Sequence, residues 1–312
     1  MNKYILNFIF LLAFMAGFAQ DEAYTEEELK INEFTEGTLT YPSTGKADNL
    51  VIFIQGSGPT DRDGNQSMAK NDGMKKIARE LAEKDIASFR FDKRVFKMRE
   101  LQIQEKDLRF EDFVNDVKGI LNHFQKEDTY QNLVVAGHSE GSLIGILASQ
   151  DLADAFISLA GAGEPIDNIV VEQVNKMAPQ LGENARTAFD EIKENGETKN
   201  YNTMLESLFR ESVQPYLYSW MKYDPSEEIK KLNIPVLIIS GTSDIQVEPK
   251  QAEMLHAAKT NSKLVLLENM NHIFRKMESN DRLVNTKTYN EPNRPLHPDL
   301  IPVMTQFIKE LE

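Results

Sequence analysis

The sequence predicts an α/β protein with a mostly parallel, doubly wound sheet and a helical insertion. Three observations carry that reading. Short apolar runs alternate with amphipathic helical stretches from about residue 49 to residue 162, as helices covering both faces of a sheet require. The alternation stops at about Gly163, and every periodic stretch from there to about Lys231 has helical spacing. It then resumes at "IPVLIISGTSD" and runs to the end of the chain. The expected organisation is a leader over 1–19, a core over 20–162, a helical cap over 163–231, and the second part of the core over 232–312.

The leader is "MNKYILNFIFLLAFMAGFAQ". Lys3 supplies a positive start, Ile5 to Met15 an apolar stretch, and Gly17-Phe18-Ala19 a small-x-small cleavage site, which is the pattern of a secretory signal peptide. A permanent membrane anchor fits less well, because Asn7 interrupts the run and its apolar length falls short of ~20 residues. The mature chain is then expected to begin near Gln20, in the periplasm or outside the cell. The acidic "DEAYTEEELK" that follows reads as a loose stretch.

Next come strands at "GTLTYP" and "NLVIFIQGSG", the second apolar enough to be buried on both faces. A helix is expected over 67–84, a strand at "IASFRFD", and a helix at "DLRFEDFVNDVKGILNHFQKE". That helix aligns Phe110, Phe113, Val117, Ile120, Leu121 and Phe124 on one face. The strand "NLVVAG", a second helix and the strand "AFISLAG" complete the first half. After the insertion come a strand, the helix "EPKQAEMLHAAKT", the strand "SKLVLLENM" and a C-terminal helix.

Net charge is −14 with no basic block, so nucleic acid is not an expected partner and an anionic membrane surface would repel the chain. There is no cysteine, hence no disulfide and no lipid anchor on one. The expected partner is a small molecule.

"GHSEG" (137–141) joins an apolar strand to a helix. Two glycines weaken regular structure, but they fit a turn too tight for side chains. Such a turn lifts Ser139 to the top of the sheet as an exposed nucleophile. A base and an acid should then follow from other loops at the same sheet edge. Of the five histidines, His123 and His256 lie inside helices, His297 sits near a helix start, and His138 is adjacent to the serine in sequence. His272, in "LVLLENMNHIF", directly follows a strand and is the expected base. Asp244 ends "LIISGTSD" and is the expected acid. The order Ser139, Asp244, His272 is that of α/β-hydrolases rather than either protease order.

An oxyanion hole needs two preorganised N–H groups. The backbone N–H of Glu140 is one. The loop "QGSGPTDRDGN" supplies the other, from Ser57 or alternatively Gly58, with Gly56 and Gly58 permitting close approach. Gly56, Gly58 and His138 are the expected substrate contacts. A phosphate-binding loop is excluded there because the Gly-Lys-Ser/Thr ending is missing.

"GSGPTDRDGN", "RFDKR", "GHSEG", "YDPSEEIKKLNIPVLIISGTSDIQV" and "NMNH" together resemble bacterial α/β-hydrolases of the serine-aminopeptidase-like branch, especially its carboxylesterases. The resemblance implies an α/β-hydrolase fold with a helical cap, esterase activity on short acyl chains, and no cofactor or metal. It also supports Ser139, Asp244 and His272 as a triad. Two segments depart from the pattern. "DKRVFKMRE" lacks the usual glycine-rich turn and Ser, and the polar stretch Arg275 to Pro298 is longer than expected. Both are expected near the site mouth. Asp61, Arg62, Asp92 and Arg94 are expected to form ion pairs that shape these loops.

The function expected is hydrolysis of small esters. Aminopeptidase, amidase or thioesterase chemistry on the same residues is the alternative, and a non-catalytic binding protein a more remote one. An exopeptidase would need a carboxylate for the substrate amine, for which Glu164, Glu172, Glu183 and Glu191 are available. Met177, Leu181, Leu205, Leu208, Phe209, Tyr216 and Trp220 are the expected source of an apolar acyl pocket and of the cap core.

Overall fold

A computed structural model describes residues 23–279 and 281–311 of the chain, so the expected signal peptide lies outside the described residues. The strands are β1 (Tyr24–Lys30), β2 (Glu36–Pro42), β3 (Asn49–Ile54), β4 (Ala87–Phe91), β5 (Asn132–His138), β6 (Ala155–Leu159), β7 (Val236–Gly241) and β8 (Lys263–Leu267). They form one sheet in the order β1-β2-β4-β3-β5-β6-β7-β8. From β4 to β8 every pairing is parallel, and β1 and β2 join antiparallel.

Every residue of β3, β4, β6 and β7 is buried, because helices cover both faces of this part of the sheet. Alternate side chains serve opposite faces. Leu50, Ile52 and Ile54 join Phe89, Val135 and Phe156 under α2 (Phe110–Glu127) and α3 (Glu140–Ser149), after α1 (Gly73–Ala82) in the chain. Val51 and Phe53 instead pack with Met74, Ile77 and Leu81 of α1 on the other face.

Between β6 and β7 the described chain is helical: α4 (Ile166–Met177), α5 (Gly182–Asn195), α6 (Glu206–Phe209), α7 (Gln214–Trp220) and α8 (Pro225–Ile229). The insertion has a small core of its own around Phe189, Ile192, Leu205 and Phe209. It is fastened to the sheet layers through α7 and α2. Trp220 stacks on Phe110 at 5.2 Å, Tyr216 meets Phe113 edge-on at 5.6 Å, and the Phe110 N–H donates to Ser219 Oγ. After β7 come α9 (Pro249–Ala258), α10 (Arg282–Lys287) and α11 (Leu300–Lys309). α11 joins α1 on the second face through Leu300, Met304 and Phe307.

Two expectations are corrected. "DEAYTEEELK" is not loose, since its Tyr24–Lys30 portion is the edge strand β1. Its acids are what bind it. Glu26 pairs with Arg79 at 2.6 Å and with the buried Arg90 at 2.8 Å, and Glu28 pairs with Arg62. The helix expected over 67–84 starts only at Gly73, because Asn65 Oδ1 takes the N–H groups of Asn71 and Asp72 and holds the preceding residues in a loop. Among the described residues no helix is long and apolar enough to cross a membrane.

The packing beneath α3 is tight. A methyl group on Gly145 would lie 2.6 Å from the Phe156 ring, so the helix rests directly on that side chain. Phe156→Ala should therefore cost ~3–5 kcal/mol, measured by urea unfolding. A loss below about 1 kcal/mol would mean that the helix collapses into the space without penalty.

Candidate active site

β5 ends at His138 and α3 begins at Glu140, so Ser139 is the turn between them, with φ 54° and ψ −117°. That conformation is strained for a non-glycine residue, by ~1–3 kcal/mol. Its neighbours hold it there. The Ser139 N–H donates to Leu159 O at 2.9 Å, and Ser139 O accepts the Ser142 N–H at 2.9 Å. Both flanking glycines are required by contact. A Cβ on Gly137 would lie 2.1 Å from the Gly141 oxygen, and one on Gly141 would lie 2.4 Å from the Ile54 oxygen.

The loop after β8 carries His272, and the loop after β7 carries Asp244. His272 Nδ1 lies 2.7 Å from Asp244 Oδ2. The Asp244 carboxylate is wholly buried, and its Oδ1 accepts the N–H groups of Gln246 and Val247 at 2.8 and 3.0 Å. Those two bonds fix its orientation, and it in turn fixes the imidazole. His272 and Ser139 line one cavity of about 380 Å³, together with Gly56, Ser57, His138 and Glu140. Of the three expected triad residues, Ser139 and His272 line the cavity, and Asp244 lies buried behind His272.

The loop after β3 completes the floor. A Cβ on Gly56 would stand 3.3 Å from Ser139 Cβ and 3.4 Å from His138 Nδ1, so this glycine packs closely under the elbow. The Ser57 carbonyl is held by Thr60 Oγ1 and Gln66 Nε2. Gly58, the alternative donor and an expected substrate contact, has φ 74° and does not line the cavity. Glu140 is the first residue of α3, where helical N–H groups have no partner in their own helix.

His138 lines the cavity, but its ring is engaged elsewhere. Nε2 lies 3.0 Å from the His272 carbonyl oxygen, and the two rings are 4.6 Å apart. A carbonyl only accepts, so Nε2 carries the proton. Burial, and then the neighbouring His272 ring, hold His138 well below the ordinary imidazole value. It is a neutral brace for the backbone of His272.

The roof comes from the insertion: Ile166, Ile169, Val170, Leu208, Leu217 and Trp220. Of the apolar residues expected here, Leu208 and Trp220 line the cavity. Leu181, Leu205 and Phe209 are core of the insertion, Met177 is 68% exposed, and the Tyr216 hydroxyl turns to Glu140. Of the four acids, only Glu164 lines the cavity, and its Oε2 accepts from Gln251 Nε2 at 2.6 Å. Glu172 is paired with Lys176 and Lys250, and Glu191 bonds Thr198 and Asn200.

The two departing segments differ in their placement. The stretch after Arg275 does reach the site, where Tyr289 lines the cavity and its hydroxyl oxygen accepts from Gln246 Nε2. Asn285 ties the same stretch to the Ser243 carbonyl and to Asn271. "DKRVFKMRE" contributes no lining residue. Lys93 instead reaches Gly56 O and Glu140 Oε2. Among the expected ion pairs, Arg62 grips Asp92, but Arg94 pairs with Asp116, and Asp61 accepts the N–H groups of Asp63 and Asn65 within its own loop.

A family model described as serine aminopeptidase, S33, matches residues 70–278. The chain belongs to that family. This serine aminopeptidase family member is also 26% identical over 271 residues to Esterase EstD of Thermotoga maritima, covering 82% of this chain. It spans 61% of that relative's length. Among solved structures it is similar to Est1E from Butyrivibrio proteoclasticus, with TM-score 0.56 and 17% identity over 92% of this chain and 98% of the other. An esterase from Pyrococcus furiosus gives TM-score 0.55 and 13% identity over 92% and 91% of the two chains. The fold is that of an α/β-hydrolase.

Sequence reasoning missed Lys93, Tyr289, Gln246 and the bracing role of His138. The pair Gln246–Tyr289 spans 43 positions, and neither residue carries a local pattern that signals a cavity.

The state of His138 has a consequence for stability. As pH falls through roughly 6.5 the unfolded chain binds a proton there that the folded chain refuses. Stability from this group is therefore present above that value and lost below it. His138→Gln keeps an N–H for the His272 carbonyl and removes the titration. Its stability in urea should fall less than the parent's between about pH 7 and about pH 5. An equal fall in both proteins would contradict this assignment.

Proposed function

We propose that this protein is a serine esterase that cleaves small carboxylic esters through an acyl-enzyme on Ser139. The observation that carries the reading is the His272–Asp244 hydrogen bond, 2.7 Å long, made by the histidine that lines the same cavity as the strained Ser139. Ser139 Oγ attacks the ester carbonyl carbon while His272 Nε2 takes its proton. The oxyanion so formed is met by the N–H groups of Glu140 and Ser57. The carbonyl re-forms as the alkoxide leaves, protonated by His272. Water then repeats the sequence on the acyl group and frees Ser139. Asp244 holds the imidazole in the tautomer with Nδ1 protonated, its ring oriented by the bond to Oδ2.

Ester rather than amide cleavage is supported by the apolar roof and by the esterase among the relatives. An aliphatic acyl chain matches Leu208, Leu217 and Trp220, and a cavity of about 380 Å³ favours short ones. A second reading, aminopeptidase, has one observation of its own, the Glu164 carboxylate in the cavity wall. Its bond from Gln251 occupies one oxygen. The expected leader over residues 1–19 supports export, so the site of action proposed is the periplasm or the medium.

Ser139→Ala and His272→Ala should each lower kcat by ~10⁴–10⁶ with folding intact, and Asp244→Ala by about 10⁴. If Ser139→Ala kept a tenth of the parental turnover, another nucleophile would be needed. p-Nitrophenyl butyrate should turn over far faster than a leucyl or prolyl anilide. Equal kcat/KM for the two would replace the esterase by an aminopeptidase that uses Glu164. N-terminal sequencing of protein made with its leader should begin near Gln20, and Met1 in a membrane fraction would favour an anchor.

A further inference from the structure

Lys93 and Glu140 form an ion pair of 3.0 Å with both side chains 3% exposed. Burying such a pair seldom improves stability over well-packed apolar residues, so stability alone is a poor reason for it. What the pair touches is more informative. Lys93 Nζ also donates to the Gly56 carbonyl oxygen and stands 5.7 Å from the Phe113 ring centroid. The second Glu140 oxygen, Oε1, accepts the Tyr216 hydroxyl at 2.7 Å. Burial first, and then Glu140, push Tyr216 well above the ordinary phenol value, so it keeps its proton and donates.

We propose that the buried Lys93–Glu140 pair positions both N–H donors of the oxyanion hole relative to Ser139. The inference rests on the reading of Ser139 as nucleophile. One donor is on the backbone of Glu140 itself, whose side chain is anchored at both oxygens. The other is on Ser57, whose nitrogen shares a peptide unit with the Gly56 carbonyl. In a trans peptide the C=O and N–H point in opposite directions. Lys93 therefore clamps the far side of that unit and turns the Ser57 N–H away from itself, toward the cavity that Ser57 lines.

The pair also solves an electrostatic problem. A bare carboxylate beside a developing oxyanion would repel it, and the ammonium offsets that charge within the same buried cluster. Tyr216 belongs to α7, so the cluster ties the insertion to the elbow as well. Lys93, Glu140 and Tyr216 are positioning residues, acting on the reaction through the two backbone donors.

The test uses the full-length protein with Lys93→Met and Glu140→Gln combined, which removes both charges and leaves neither unpaired. Circular dichroism checks folding. Misplaced donors should lower kcat for p-nitrophenyl butyrate by ~10²-fold with KM changed less than about threefold. A trifluoromethyl ketone, whose hemiketal oxyanion occupies the hole, should lose affinity by a similar factor. A purely structural role would lower the melting temperature and leave both values intact in the folded protein. Parental kcat and ketone affinity within about twofold would overturn the proposal.

If the double variant does not fold, Tyr216→Phe decides. It keeps both charges, and kcat should fall about three- to tenfold at unchanged KM, whereas a change below twofold overturns the proposal. Ser139→Ala, assayed alongside, separates the two claims. Turnover persisting there removes the nucleophile reading, while its loss there combined with full kcat in the deciding variant removes only the positioning role.

Discussion

A methyl group on Gly141 would sit 2.4 Å from the Ile54 oxygen, and one on Gly137 would sit 2.1 Å from the Gly141 oxygen. Backbone thus touches backbone at the point where β3, β5 and the start of α3 meet. That contact lets the chain turn from strand to helix through a single residue, and Ser139 is left with a φ of 54° as the result. With the elbow in place, the first turn of α3 faces the loop after β3, and a Cβ on Gly56 would crowd Ser139 Cβ at 3.3 Å. The strain at one residue is offset by the burial of the sheet and helices around it.

The remaining parts reach the site from loops at the carboxyl edge of the same parallel sheet, where open α/β sheets gather ligands. Asp244 follows β7, His272 follows β8, and Ser57 follows β3. Each also has anchors outside the set. Backbone N–H groups hold Asp244, His138 braces the His272 carbonyl, and Thr60 and Gln66 hold the Ser57 carbonyl. Such a site is set before substrate arrives, which is what stabilising an oxyanion requires. The insertion then adds an apolar roof over a polar floor, and Tyr216 joins the two.

The parallel strands were legible in the sequence because a sheet buried on both faces demands unbroken apolar runs, as at "NLVIFI" and "AFISL". The elbow was legible because its contacts leave room only for glycine. Asp244 and His272 could be singled out because each lies in the turn after an apolar strand, β7 or β8. β1 was not legible. It is an edge strand whose acids pair with Arg62, Arg79 and Arg90, and those partners lie far along the chain. Which of the insertion's apolar residues form the roof stayed open for a related reason. Helical spacing shows that Leu205 and Phe209 face something apolar, but not whether that is the cavity or Phe189. Lys93 sits in a segment expected at the site mouth, but nothing in its run of charged residues signals a buried partner, and Glu140 is 47 positions away.

The central claim is that Ser139 forms a covalent acyl intermediate with an ester. Rapid quenching of the protein with p-nitrophenyl butyrate, followed by intact mass measurement and peptide mapping, tests it most directly. The expected result is one butyryl group per chain, on the peptide that carries "GHSEG" and absent in Ser139→Ala. Turnover with no adduct, or with the acyl group on another residue, would contradict the account.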